Sequence, residues 1–238
     1  MTLNESSGKK LEAGAHHYRA YVGPPERYDL IAAMTFNLLT TLGLREYHKV
    51  LDIGCGSLRI GRLLIPYLDS GNYTGIEPSQ WLVEDGIRHE IGNDLIRIKK
   101  PRFIFSPGAK DLPKDDEYAF AFAQSIFSHC GTDLITQWLN DAYAHLERDG
   151  VFLATFFLAN SDSTISGWVY PTNVAYKVET IKALAQNVGL HFELLDWTHP
   201  AQQWALFHKD GYDPGWLHQD GALSWNRMTK HFNLRKDG

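Results

Sequence analysis

The sequence has few of the residues that would indicate a crosslinked, metal-bound or membrane-inserted protein. Its 238 residues include two cysteines, Cys55 and Cys130, and neither has partners at the spacing of a zinc site or of a secreted disulfide scaffold. No apolar run approaches the roughly 20 residues that span a bilayer. Residues 1–11 lack the apolar block of a secretory signal. These absences predict a soluble, cytoplasmic protein with no metal site and no membrane partner.

Charge is also scarce, and its balance is slightly negative. Lys and Arg total 23 against 28 Asp and Glu, which gives a formal net charge of -5. This balance disfavours a broad surface for the phosphates of a nucleic acid, so no nucleic-acid partner is expected. Hydrophobic residues make up 44% of the chain, enough for one large folded domain.

Short apolar strands alternate with helices from residue 49 onward, and this alternation predicts a parallel sheet. Strands are predicted at Lys49–Ile53, Tyr73–Ile76, Arg102–Phe105, 119–124 and, after the turn Asp149-Gly150, Val151–Phe157. Helices are predicted at Arg27–Leu42, Ile60–Tyr67, Gln80–Ile91, Leu134–Leu146 and Val178–Asn187.

The last two predicted strands, His191–Trp197 and Gln203–His208, are close enough in sequence to form a hairpin. A hairpin there places an antiparallel edge on an otherwise parallel sheet. The pattern as a whole predicts a doubly wound, Rossmann-like α/β fold with a seven-stranded, mostly parallel sheet and an antiparallel C-terminal hairpin.

A glycine pair follows the first strand, in the segment Val50–Ser57. Gly54 and Gly56 allow a sharp turn and a close approach of a ligand, and ligands of α/β sheets bind at such strand ends. A dinucleotide fingerprint would carry a third glycine where this chain has Arg59, so NAD or FAD fits poorly. A nucleoside without phosphates fits better, with Glu77 after the next strand accepting hydrogen bonds from two ribose hydroxyls.

The segments Val50–Gly56 and Tyr73–Glu77 resemble the first two motifs of the class I S-adenosylmethionine-dependent methyltransferases. Three later landmarks, at residues 111–113, 124–129 and 146–150, are similar to that family in the expected order. The resemblance implies S-adenosylmethionine as cofactor, with S-adenosylhomocysteine as product. It implies a cofactor site formed by Asp52, Gly54, Cys55, Gly56, Glu77, Pro78, Trp81, Leu82, Asp111, Gln124 and Ser125.

One departure from the family concerns the adenine amine. Many relatives carry an acid in the stretch that corresponds here to 107–110, where this chain has none. Asp111 or backbone groups could make that contact instead. Asp52 could orient the glycine loop or the cofactor's amino group, or simply cap the loop.

Histidines are the leading candidates for a general base, because their ordinary pKa is near neutrality. His129 follows the fourth strand, on the sheet edge where a transferable methyl group would point, although it could equally cap the next helix. His199, in the turn of the predicted hairpin, is the second candidate. Eleven histidines are present in all, and no residues form a convincing metal site.

The resemblance also implies a lid and an acceptor side. Tyr18, Tyr21 and Tyr28 lie in an aromatic N-terminal segment like those that fold over the cofactor in some of these enzymes. Gln203 and Trp204 would contact the acceptor beside His199. The predicted segments are a flexible tail (1–14), an N-terminal helical lid (15–48), the methyltransferase domain (49–208) and a C-terminal appendage (209–238).

The resulting hypothesis is a cytoplasmic methyltransferase that acts on a small polar metabolite, through oxygen of a saccharide or natural-product hydroxyl. The alternatives are N-methylation of an amine or protein side chain, and a non-catalytic protein that binds S-adenosylmethionine and a partner. The appendage carries Trp216, Leu217, Leu223 and Trp225, which could pack on the domain or form a homodimer interface.

Overall fold

The computed structural model describes residues 8–223, and one eight-stranded sheet organises them. Its strands are β1 (Val50–Ile53), β2 (Tyr73–Ile76), β3 (Arg102–Ile104), β4 (Tyr118–Ala123), β5 (Leu146–Leu158), β6 (Ala175–Tyr176), β7 (His191–Leu195) and β8 (Gln203–His208). Their order is β3-β2-β1-β4-β5-β8-β7, and the two-residue β6 pairs with β5 outside this path. Strands β1 to β5 run parallel, whereas β8 is antiparallel to β5 and β7. The predicted mostly parallel sheet with an antiparallel C-terminal hairpin is confirmed.

Six α-helices accompany the strands: α1 (Tyr28–Thr41), α2 (Gly61–Tyr67), α3 (Gln80–Gly86), α4 (Gly92–Lys99), α5 (Thr132–His145) and α6 (Val178–Asn187). The helix predicted through Ile91 continues past α3 as a π-helix, Ile87–Ile91. Gly92 then takes a left-handed φ of 77° and starts α4, which the sequence pattern did not predict. No helix within residues 8–223 has the length and apolar character needed to cross a membrane.

The turn predicted at Asp149-Gly150 is wrong. Strand β5 runs without interruption from Leu146, and the register between β4 and β5 shifts between Tyr118 and Phe120. Glycine and aspartate favour turns, but a β-bulge uses the same backbone freedom. From Tyr118 to Phe120, β4 advances by two residues while β5 advances by five, from Leu146 to Val151. The Asp149-Gly150 segment is therefore accommodated within the strand.

Both faces of the sheet are buried. Along β1, Leu51 and Ile53 enter one hydrophobic cluster, and Val50 enters a second one on the other side. Along β5, Phe152 and Leu153 divide in the same way. Strands covered by helices on both faces carry continuous apolar runs instead of alternating ones. This double burial fixes the strand ends, and the strand ends position the functional residues.

The C-terminal segment packs on the domain as far as it is described. Trp216 and Leu217 contact the second hydrophobic cluster, and Leu223 is buried in it. Trp225 and the remainder of the predicted appendage, residues 224–238, lie outside the described residues, as do residues 1–7 of the predicted tail.

Candidate active site

A cavity of about 1070 Å³ opens at the carboxyl ends of the parallel strands. It lies where β1 has β2 on one side and β4 on the other, so the chain crosses over in opposite directions from this point. Such a crevice is the usual ligand site of an open α/β sheet. Gly54 and Gly56 after β1, Glu77 after β2, and Gln124 and Ser125 after β4 all line it.

The glycine loop is closely surrounded. Gly54 and Gly56 have left-handed φ values of 69° and 52°, a conformation that glycine adopts without a steric penalty. A Cβ on Gly54 would overlap Ile126, and one on Gly56 would lie 2.7 Å from Cγ1 of Val22. These two positions of the loop, which forms the floor of the cavity, therefore have room for a hydrogen atom but not for a side chain.

Glu77 is held by the backbone of that loop and of the following helix. Its carboxylate accepts hydrogen bonds from the amide of Gly56 at 3.1 Å and from the amide of Ser79 at 2.8 Å. Burial raises its pKa, and the two amides act in the opposite direction. The carboxylate is thus fixed in the cavity wall by two donors.

Asp52 lies behind the loop and does not line the cavity. Its carboxylate accepts a hydrogen bond of 2.7 Å from the hydroxyl of Tyr73. Burial raises its pKa to about 7, and the Tyr73 bond and the charge of Arg59 limit the rise. In this position Asp52 supports the loop from below.

His129 presents a hydrogen-bond acceptor in the cavity wall. Its Nδ1 lies 2.8 Å from the carbonyl oxygen of Thr172. A carbonyl only accepts, so Nδ1 carries the proton and Nε2 is the unprotonated nitrogen. Burial lowers the pKa of His129, which keeps the ring neutral at neutral pH. The ring meets Trp168 and Tyr170 edge to face, at centroid distances of 5.6 and 4.9 Å.

His199 lines the same cavity with different partners. Its Nδ1 accepts hydrogen bonds from the backbone amides of Ala201 at 3.2 Å and Gln202 at 2.9 Å, and its Nε2 lies 3.3 Å from the side-chain nitrogen of Gln124. Burial, with the nearby charges of Arg59 and Arg27, lowers the pKa of His199 to about 4. The His199 ring is thus neutral at neutral pH and, unlike His129, uses Nδ1 as an acceptor.

The sequence and the fold were compared with those of known proteins. No protein-family model matches the sequence. The chain is 28% identical over 151 residues to the 18S rRNA (guanine(1575)-N(7))-methyltransferase of Saccharomyces cerevisiae, covering 60% of this chain and 52% of the yeast protein. It therefore spans about half the length of that curated relative.

Solved structures extend the comparison. The CcbJ methyltransferase from Streptomyces caelestis superposes with a TM-score of 0.57 at 15% identity, over 79% of this chain and 97% of CcbJ. A TehB-like SAM-dependent methyltransferase from Corynebacterium glutamicum gives 0.54 at 19% identity, over 78% and 95%. The chain has the class I S-adenosylmethionine-dependent methyltransferase fold.

The methyltransferase fold brings most, but not all, of the predicted site residues to the cavity. Those that line it are Tyr21, Gly54, Gly56, Glu77, Pro78, Leu82, Gln124, Ser125, His129 and His199. Those that do not are Tyr18, Tyr28, Asp52, Cys55, Trp81, Asp111, Gln203 and Trp204. Their roles as predicted from the resemblance remain predictions.

On the cofactor side, three of these residues are engaged elsewhere. Trp81 stacks on His16, with ring centroids 4.5 Å apart. Cys55 is buried beneath Gly75, where an added Cβ would lie 2.8 Å from its Sγ. Asp111 is exposed in a short 3-10 helix.

On the lid and acceptor side, the remaining four residues have structural contacts. Tyr28 is fully buried and donates a hydrogen bond to the carbonyl of Ser57, and Tyr18 accepts one from Arg19. Gln203 donates to the carbonyl of Leu195 within the hairpin, and Trp204 lies in the core. Within the methyltransferase fold they support the cavity walls.

Among the cavity residues outside the predicted set, four bear on the chemistry of the site. Arg59 is buried there although it served only to argue against a dinucleotide. Ser106 is also buried, and its Oγ has no hydrogen-bond partner among residues 8–223. Trp168 and Tyr170 stack at 6.1 Å in the irregular stretch after β5. Their one sequence signal was an aromatic pair in a segment rich in serine and asparagine.

Metal-ligating side chains do not gather at the cavity. Within the part of the chain that the structure describes, no three His, Cys, Asp or Glu side chains are placed to hold an ion together. The described site is therefore built from hydrogen-bonding and aromatic groups.

Proposed function

We propose that this protein transfers the methyl group of S-adenosylmethionine to a hydroxyl of a small acceptor molecule and releases S-adenosylhomocysteine. The observation that carries the proposal is the position of His129. His129 lines the same cavity as the glycine loop and Glu77, and its Nδ1 bond to the Thr172 carbonyl leaves Nε2 as the unprotonated nitrogen.

The cavity wall fits the cofactor. Glu77 offers a fixed carboxylate for two ribose hydroxyls, and Gly54 and Gly56 line the same cavity without a side chain that would project into it. The buried Oγ of Ser106, which has no hydrogen-bond partner among residues 8–223, offers a polar contact for the adenine base of the cofactor. S-adenosylmethionine, when bound, supplies a methyl group already activated on a sulfonium. The protein must then orient an acceptor and manage its proton.

His129 manages that proton. Its Nε2 accepts the hydrogen bond of an acceptor hydroxyl and takes the proton as the oxygen bonds to the methyl carbon. The resulting imidazolium keeps its Nδ1 hydrogen bond to the Thr172 carbonyl, which favours the charged ring. General base catalysis of this kind contributes typically about 100- to 10,000-fold to the rate.

The acceptor side of the cavity is aromatic. Trp168, Tyr170 and the His129 ring form a wall that suits a flat apolar portion next to the reacting hydroxyl. A cavity of about 1070 Å³ is at the upper end of the roughly 300 to 1,000 Å³ usual for small-molecule sites. That size supports binding of a cofactor and a small acceptor together.

A second candidate function is methylation of a guanine nitrogen in RNA, which the name of the yeast relative favours. Guanine N7 carries a lone pair and no proton. A base is therefore not needed for that reaction, and the two candidates differ in what they require of His129.

The test is labelled-methyl transfer from S-adenosylmethionine to panels of phenolic, saccharide and RNA acceptors. For a hydroxyl acceptor, His129→Ala should lower kcat about 100- to 10,000-fold and leave the calorimetric Kd for S-adenosylhomocysteine unchanged. The matched control is His145→Ala, because His145 also faces a carbonyl with Nδ1, that of Asp116 at 2.9 Å, but lies outside the cavity.

The pH profile gives a second readout. Protonation removes the base, and burial holds the pKa of His129 below its ordinary 6.5. Activity of the wild-type protein should therefore fall only below pH 6.5, and His129→Ala should lack this acid limb. Methylation of RNA alone, unaffected by His129→Ala, would favour the second candidate. Binding of S-adenosylhomocysteine without transfer to any acceptor would favour a non-catalytic protein.

A further inference from the structure

Arg59 is a buried cation in the cavity wall, and no carboxylate of residues 8–223 forms an ion pair with it. Arg59 is only 7% exposed. One terminal nitrogen donates a hydrogen bond of 2.8 Å to the carbonyl of Val22, and the other donates to the side-chain oxygen of Gln124. Both acceptors are neutral. The third nitrogen, Nε, is buried and has no hydrogen-bond partner among residues 8–223.

The other arginines near this region show what is missing. Arg19 and Arg62 both form ion pairs with Glu90 and with Asp29. The acid that Arg59 senses is Asp52, but the carboxyl of Asp52 takes the Tyr73 hydroxyl and has its pKa raised to about 7. Burial lowers the pKa of Arg59 to about 10, so the guanidinium remains charged at neutral pH.

A buried charge of this kind is costly until an anion binds it. The guanidinium has five N–H groups arranged to hold a carboxylate with two parallel hydrogen bonds, and it cannot act as an acceptor. Arg59 lines the ligand cavity. The vacant partner is therefore expected from a ligand.

Glu77 and Arg59 line the same cavity, and both are connected to the glycine loop and its surroundings. Gly56 donates its amide to Glu77, and its Cα packs closely against Val22, whose carbonyl is bound by Arg59. The cavity thus offers a carboxylate suited to hydroxyls and a cation suited to an anion. S-adenosylmethionine carries both complementary groups, a ribose diol and an amino-acid carboxylate.

We propose that Arg59 binds the carboxylate of the cofactor and, through the same guanidinium, holds residues 21–24 over it. The inference rests on the proposed function. Because Nη1 is already bound to the Val22 carbonyl, a carboxylate bound at the remaining N–H groups completes a bridge from the N-terminal segment to the cofactor.

The test compares two ligands by calorimetry on the full chain. S-adenosylhomocysteine carries the carboxylate, and S-adenosyl-3-thiopropylamine lacks that group alone. The wild-type protein should bind the first about 10- to 100-fold more tightly, the range of a charge-assisted hydrogen bond. Arg59→Gln should bind both equally, with the affinity for the amine analogue unchanged.

Arg62→Gln is the matched control, because Arg62 is three residues from Arg59 in the sequence but is paired with Asp29 and Glu90. It should retain the wild-type preference for the carboxylate. If Arg59→Gln does not fold, Arg59→Lys tests the same point, since lysine keeps the charge and loses the planar fork. Its preference should fall between those of the wild type and no preference.

Hydrogen exchange separates ligand recognition from a merely structural role. S-adenosylhomocysteine should slow exchange at residues 21–24 in the wild-type protein and not in Arg59→Gln, and the amine analogue should slow it in neither. A wild-type protein that binds neither ligand would overturn the proposed function. Binding of S-adenosylhomocysteine with an undiminished preference in Arg59→Gln would overturn this inference alone. If Arg59→Gln loses only acceptor binding, the carboxylate that Arg59 binds belongs to the acceptor, and the proposal that it belongs to the cofactor is overturned.

Discussion

The proposed cofactor side and the proposed acceptor side of the cavity are built in different ways. Gly54, Glu77 and Gln124 follow the ends of β1, β2 and β4, so the sheet itself fixes their positions. Trp168 and Tyr170 belong to the irregular stretch after β5, and Trp168 is 52% exposed. A sheet edge holds one chemistry in place, whereas a loop can change its side chains without disturbing the sheet. We infer that the first side sets the reaction and the second sets the acceptor.

The largest expected effect separates the two sides at Glu77. Glu77→Ala removes the acceptor of two charge-assisted hydrogen bonds to the ribose, each worth about 1.5–3 kcal/mol. The Kd for S-adenosylhomocysteine should rise about 100-fold or more by calorimetry. Trp81→Ala is the control, because Trp81 stacks on His16 and does not line the cavity. It should change the Kd by less than about 10-fold.

Thermal unfolding of both variants without ligand checks that the domain is folded. Equal losses of affinity in Glu77→Ala and Trp81→Ala would mean that the cofactor lies against the outer aromatic stack instead of against the strand ends. The strand ends would then not be the part of the cavity that holds the cofactor.

The same difference explains how far the sequence could predict the structure. The strand order follows from alternating apolar runs, and the Gly54 and Glu77 positions follow from strand ends, because these depend on local patterns. Arg59 could not be assigned in this way. Its burial depends on Val22 and Gln124, which approach it only in the folded chain.

Histidines illustrate the same limit at finer scale. His129 and His199 were predicted as candidates from residue type and strand position alone. The partner of Nδ1 is the Thr172 carbonyl in His129 and the amides of Ala201 and Gln202 in His199. Such contacts come from loops, whose conformation the hydrophobic pattern does not specify.

An intermediate effect is expected at the glycine floor. Gly54→Ala forces a Cβ into Ile126, whereas Gly92→Ala has a similar left-handed φ of 77° and nothing within 4 Å. The backbone strain of alanine is thus similar at the two positions, and the difference in stability between the two variants reports the overlap of the Cβ with Ile126. Overpacking costs about 1–3 kcal/mol, so urea unfolding should show Gly54→Ala less stable than Gly92→Ala by that amount. Equal stabilities would show that Ile126 moves aside freely and that the floor is not rigid.

The smallest effect is expected on the acceptor side, at Trp168. Removing one aromatic partner costs about 0.5–1.5 kcal/mol, so Trp168→Ala should raise the KM for the acceptor about 2- to 10-fold and leave the Kd for S-adenosylhomocysteine unchanged. Ile165→Ala is the control, because Ile165 is an exposed apolar residue of the same stretch that does not line the cavity. A loss of cofactor affinity in Trp168→Ala would contradict the division, since the loop would then take part in holding the cofactor as well as the acceptor.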